Sequence, residues 1–228
     1  MNQNPVILEA RGITKTFQKG NGAVPVVRGV DLQIRQGEMI AITGASGVGK
    51  STLLHILGTL ELPTAGRLIF EGKQELLKFS ESQLAEFRNR HLGFVFQFHY
   101  LLPEFTALEN VMMPALISGQ SRESAEARGR ELLHLVGLQH RLNHRPSELS
   151  GGEQQRVAIA RAVSLQPKLL LADELTGNLD SANSAMVVDL LVQLNQKTGV
   201  GILLVTHDLQ LASRMHRVLS MKDGLMIQ

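Results

Sequence analysis

The 228 residues, 43% hydrophobic and 19% charged, supply enough apolar material for one large α/β domain and exclude a disordered chain. A formal net charge of +2 is too small to argue for nucleic acid or a membrane surface as partner, and without cysteine there are no disulfides or thiolate metal sites, which suits a reducing cytosolic compartment. The longest apolar runs, 169–172 and 201–205, fall far short of the roughly 20 residues that span a bilayer, and residues 1–11 lack the apolar stretch of a secretion signal, so a membrane role must pass through a partner.

In chain order, alternating apolar and polar residues predict strands over 7–17, 24–34 and 66–71, separated by glycine-containing turns. Between them, 39–43 reads as a buried strand, followed by a glycine-rich loop and an apolar-periodic helix over 50–60. A β-rich run over 93–96 precedes Gln97, and helices are expected over 106–117, where Thr106 and Glu109 form a capping box, and over 121–136. The last third alternates: helix 150–165, strand 169–172, helix 182–197, strand 201–206 and a helix from Asp208. Short apolar runs between helices imply a parallel sheet covered on both faces.

Three motifs carry chemistry. Gly44-Ala45-Ser46-Gly47-Val48-Gly49-Lys50-Ser51, with Thr52 continuing the helix, is a phosphate loop placed between a strand and a helix. Its glycines let successive backbone N–H groups face a phosphate, Lys50 reaches the outer phosphates, and the Ser51 hydroxyl ligates Mg²⁺. Asp173-Glu174 closes an apolar strand at the sheet edge where ligands bind, so that Asp173 would hold Mg²⁺ through water and Glu174 would polarise an attacking water. Leu149-Ser150-Gly151-Gly152-Glu153 opens a helix. Ser150 and Glu153 suffice for a capping box, but that leaves two helix-weakening glycines unexplained. Bare donors at a helix start bind anions, and since the phosphate loop already serves this chain, the second site would serve another subunit's nucleotide.

These motifs, with Gln97 after a strand, Gln154-Gln155-Arg156 after the glycines and a later Thr206-His207-Asp208, resemble in identity and order the nucleotide-binding domain of an ABC transporter. The resemblance covers essentially the whole chain. It implies an α/β fold with a P-loop NTPase core on a mostly parallel sheet, an N-terminal antiparallel β-subdomain and an inserted helical subdomain. One domain over 1–228 is expected, with the β-subdomain and RecA-like core at about 1–97 and 150–228 and the helical subdomain at about 98–149. It also implies a head-to-tail pair of identical chains. Each ATP would lie between one phosphate loop and the partner's Ser150, Gly151 and Gly152.

On the same basis Glu174, His207 and Lys50 would be catalytic, and Ser51, Gln97 and Asp173 would surround Mg²⁺. Gln97 would also be the hinge to the helical subdomain. Asp180, in Gly177-Asn178-Leu179-Asp180, would link the two sites across the pair, or merely cap a helix. Phe17 would stack on adenine, unless it is an ordinary strand core residue.

The segment 97–105 carries several apolar and aromatic groups just past the hinge, either as a docking groove for a partner helix or as ordinary packing. Phe98-His99-Tyr100 through Asn110, together with 143–150 and 207–212, resembles the ATPase subunits of lipoprotein-releasing systems, whose wider relatives include macrolide exporters and a cell-division ATPase. The resemblance implies a peripheral motor at the cytoplasmic face of the bacterial inner membrane, driving two integral membrane subunits. A soluble, non-transport ABC ATPase fits less well, because the chain has one phosphate loop, one signature and no heptad tract. One departure stands out: Leu175 occupies a position where the family commonly has proline.

Overall fold

The computed structural model describes residues 4–20, 22–177 and 179–227, and Asn178 of the expected linking loop lies outside them. β1 (Val6–Lys19) and β2 (Gly22–Arg35) form a long hairpin, and β3 (Met39–Thr43) leads into α1 (Lys50–Leu57). Next come β4 (Ala65–Phe70), β5 (Gln74–Glu75), α2 (Glu81–His91), β6 (Leu92–Val95), α3 (Ala107–Ile117) and α4 (Arg122–Leu135). The remainder is α5 (Gly151–Ala162), β7 (Leu169–Asp173), α6 (Ser181–Thr198), β8 (Gly201–Val205), α7 (Leu209–Ala212), β9 (Arg217–Lys222) and β10 (Leu225–Ile227).

Two sheets result. An antiparallel sheet runs in the order β2-β1-β4-β5, and a six-stranded sheet runs β10-β9-β3-β8-β7-β6, parallel except for β10 at its edge. The central strands are buried on both faces, and strand alternation assigns their side chains to two cores. Ile40, Ile42, Leu169, Leu171, Leu203 and Val205 join α1 and the antiparallel sheet in one core. Met39, Ala41, Leu170, Ala172, Ile202 and Leu204 join α3 to α6 in the other. Each fully buried Leu or Ile contributes about 1.5–3 kcal/mol, so the strand register is fixed from both sides.

The segment between β6 and α5 is built on helix ends and one buried amide. Thr106 caps α3, accepting from the Glu109 N–H at 3.2 Å while Glu109 accepts from the Thr106 N–H at 2.9 Å. α4 packs closely on α3 because Gly129 has no side chain there; a Cβ would stand 2.8 Å from a Leu108 methyl. Asn110, fully buried, accepts from the Leu102 N–H and donates to the carbonyls of Leu102, Phe105 and Thr106, which fixes the preceding loop. Among the described residues no helix is long and apolar enough to cross a membrane.

The structure corrects the expected elements in four places. α1 ends at Leu57 because Gly58 passes under Phe94, where a Cβ would lie 2.5 Å from the ring, and Thr59 then turns at φ +56°. α2 is an element the apolar pattern does not reveal, since it buries only Leu84 and Phe87. The helix beginning after Asp208 is a single turn, and β9 follows it as a further parallel strand beside β3.

Candidate active site

β3, β8, β7 and β6 are parallel neighbours, so their carboxyl ends open on one edge of the sheet. The residues just past those ends meet around a cleft of ≈ 630 Å³. Ser46, Gly47, Gly49, Lys50, Ser51 and Thr52 form one wall; Gln97, Glu174 and His207 face them, with Val26 of β2 at the side.

The loop after β3 can take its path only with glycine at two points. A Cβ on Gly44 would lie 2.3 Å from the Met221 carbonyl, and one on Gly49, at φ +105°, 2.5 Å from the Val26 carbonyl. Lys50, the first residue of α1, is buried and folds back over the loop, donating to the Gly44 and Ala45 carbonyls, both at 2.9 Å. Its charge therefore lies against the loop backbone and lines the cleft, where an anion would be held. Ala45 and Val48 complete the loop without lining the cleft.

Ser51 Oγ donates to Asp173 Oδ1 at 3.0 Å, across the gap between α1 and β7. Burial pushes the Asp173 carboxyl above its ordinary range; the Ser51 hydroxyl and the nearby His55 oppose this in part. A hydroxyl and a half-buried carboxylate at this separation are the donor set an oxygen-seeking divalent cation takes. Glu174 follows with a left-handed backbone at φ +48°, a conformation that costs a non-glycine residue about 1–3 kcal/mol unless its surroundings hold it. They do so at three points. The Glu174 N–H donates to the Val205 carbonyl at 3.0 Å, its own carbonyl accepts from Gly177 at 3.2 Å, and its carboxylate lies 2.7 Å from His207 Nδ1. Leu175 points into the core at 2% exposure, so a buried side chain anchors the turn where proline would have fixed it by φ.

Ser150, Gly151, Gly152 and Asp180 do not line the cleft of their own chain. Ser150 caps α5 in a reciprocal capping box with Glu153, which also pairs with Arg141 at 2.9 Å. The backbone N–H of Ser150, ahead of every other cause, holds the Glu153 carboxyl below its ordinary value. The two glycines differ. Gly152 has a packing reason within the chain, since a Cβ there would lie 2.4 Å from Asn183 Oδ1, whereas among the described residues Gly151 has only Leu179 within 4 Å, at an ordinary 3.9 Å. Asp180 is the N-cap of α6, accepting from the Asn183 N–H at 2.8 Å. Phe17 also lies outside the lining; it is 39% exposed and pairs with Val24, two residues from Val26.

Two neighbours of the site were not singled out from the sequence. Val26 sits at a register shift between β1 and β2, which sequence does not mark. His55 does leave a signal, since it stands four residues after Ser51 on α1 and so shares its face.

The ABC transporter family model matches residues 27–177, well over half of the chain. Together with the strand-edge cleft and its phosphate loop this fixes the class: the chain belongs to the ABC transporter family, as a nucleotide-binding, ATP-hydrolysing cassette. Within that family it is 55% identical over 221 residues to the lipoprotein-releasing system ATP-binding protein LolD of Geobacter metallireducens, covering 97% of this chain and 98% of that one. It is 52% identical over 218 residues to LolD of Syntrophus aciditrophicus, covering 96% and 97%. The dimeric ATP-binding cassette MJ0796, solved in a post-hydrolysis state with ADP and Pi, superposes with a TM-score of 0.90 at 37% identity over 97% of each chain.

Proposed function

We propose that this chain is the ATP-binding and ATP-hydrolysing subunit of a lipoprotein-releasing ABC transporter, lodged on two integral membrane subunits at the cytoplasmic face of the bacterial inner membrane. It touches the membrane only through them and binds no nucleic acid. The observation that carries this reading is the meeting of four strand ends on one cleft, with Ser150, Gly151 and Asp180 outside it. The 52–55% identity to LolD proteins supports the cargo.

In this reading the triphosphate lies on the N–H groups of the loop 44–52 and Lys50 turns from its carbonyls to the outer phosphates. Phe17 stacks on the adenine. Ser51, Asp173 and Gln97 would hold Mg²⁺, which supplies neutralisation of phosphate charge when bound. Glu174 orients the attacking water and accepts its proton, and such positioning is worth on the order of 10²–10⁴ in rate. His207, held against Glu174, donates toward the γ-phosphate. Ser150, Gly151 and Gly152 of a second copy close over that phosphate, with Asp180 at the seam between the sites, so that ATP draws two chains into a head-to-tail pair.

The exposed segment around Phe98 and Tyr100 passes the motion to the membrane subunits. Both rings are about two-thirds exposed, and their backbone is fixed by Arg161, which donates to the carbonyls of His99 and Tyr100.

The test is Glu174→Gln. With ATP and Mg²⁺ it is expected to accumulate a dimer by light scattering while turnover falls at least about 10²-fold. A variant that stays monomeric, or that hydrolyses at the unmodified rate, overturns the site assignment. The cargo is tested by purifying the chain with its membrane partners and following ATP-dependent release of a lipoprotein from proteoliposomes.

A further inference from the structure

Phe17 is not held by apolar packing alone. The Lys15 ammonium lies 4.8 Å from the centroid of the Phe17 ring, two residues along the same strand. That ammonium has little freedom, because it donates to the Glu61 carboxylate and, at 2.7 Å, to the Leu62 carbonyl, and its side chain is only 13% exposed. Glu61 and Leu62 belong to the segment that follows α1, the helix that begins at Lys50 of the phosphate loop. Two more bonds tie this segment to β1: the Thr64 N–H to the Thr14 carbonyl at 2.8 Å, and the Thr16 N–H to Thr64 Oγ1 at 3.0 Å. One face of the aromatic ring is thus covered by a fixed cation, and that cation is anchored to the segment that leaves α1.

We propose that Lys15 is a positioning residue for the base: it covers one face of Phe17, sets the plane of the ring, and leaves a single face for a purine. This rests on the reading that Phe17 stacks on adenine. A ring free to turn loses part of its stacking when it orders against a base, whereas a ring already held by a cation does not. The anchorage at Glu61 and Leu62 fixes the ring relative to the loop that takes the phosphates.

The experiment compares two probes by calorimetry on the full chain with Mg²⁺: ATP, and inorganic tripolyphosphate, which has no base. Lys15→Met is expected to weaken ATP binding about fivefold and leave tripolyphosphate binding within about twofold, while Lys15→Arg, which keeps a cation over the ring, retains ATP binding. In a Phe17→Ala background, Lys15→Met is expected to have no further effect. Equal loss on both probes, or an undiminished loss in the Phe17→Ala background, overturns the proposal, because Lys15 would then act on the phosphates or on the fold. If Phe17→Ala itself leaves the ratio of the two affinities unchanged, the stacking reading fails first and takes the role of Lys15 with it.

Discussion

Gly152 and Asn183 approach so closely that a single methyl group on Gly152 would stand 2.4 Å from the Asn183 carboxamide oxygen and 2.8 Å from its Cγ. Asn183 is short and already engaged with Asp180, to which it donates from both its backbone and its side chain. Its side chain can swing aside only by giving up the bond from Nδ2 to Asp180; the cap of α6 itself comes from the Asn183 backbone N–H.

The two glycines of the signature are therefore expected to respond differently. Gly152→Ala should lower stability by about 0.5–1.5 kcal/mol, through loss of the Asn183–Asp180 side-chain hydrogen bond, as read by urea denaturation without nucleotide. Gly151→Ala makes only an ordinary contact with Leu179 among the described residues and should leave that curve nearly unchanged, yet reduce ATP-induced pairing, because the added methyl would stand between backbone and phosphate. Equal destabilisation by both substitutions would remove the distinction.

Asp173 gives a pH signature. Its carboxyl is raised by burial above the ordinary value of 3.8, so the folded chain binds its proton more tightly than the unfolded chain does. Between those two values stability falls as pH rises, and above both the ionised carboxylate carries its full burial cost. Asp173→Asn should therefore raise the melting temperature of the nucleotide-free chain at pH 7, and the gain should shrink as pH falls through the raised value. No gain at pH 7 would mean that the carboxylate is compensated in the apo state. The same substitution is expected to weaken Mg²⁺-dependent ATP binding.

Leu175 should behave as both a core residue and a support. Truncation to alanine is expected to cost about 2–5 kcal/mol in unfolding free energy, as other buried leucines do. It should also lower kcat for ATP more than it changes KM, since Glu174 loses the anchor beside its left-handed backbone. Leu175→Met, which refills the volume, should restore kcat. A fall in stability with kcat unchanged would confine Leu175 to the core.

Much of this architecture is written in local pattern. β3, β7 and β8 are legible because strands buried on both faces need unbroken apolar runs, and the phosphate loop because all its working parts are consecutive. α2 is hidden, since a helix lying mostly in solvent needs few apolar residues. β9 is hidden for a similar reason: from Arg217 to Lys222 only Met221 is fully buried. The premature end of α1 depends on Gly58 meeting Phe94, residues far apart in the chain. Lys15 escapes notice in the same way. Its meaning lies in Glu61 and Leu62, 46 and 47 positions away, which no periodicity announces.

α5 spans 12 residues, about 18 Å. At its start stand Ser150 and Gly151; near its end, Arg161 grips the carbonyls of His99 and Tyr100. A stiff rod gripped in this way cannot be tugged at the tip without hauling whatever is tied to its heel. Movement at the glycines would thus be carried along α5 to the aromatic segment held by Arg161, and Arg161→Lys, which replaces a two-pronged hold with a single ammonium, is expected to weaken that link.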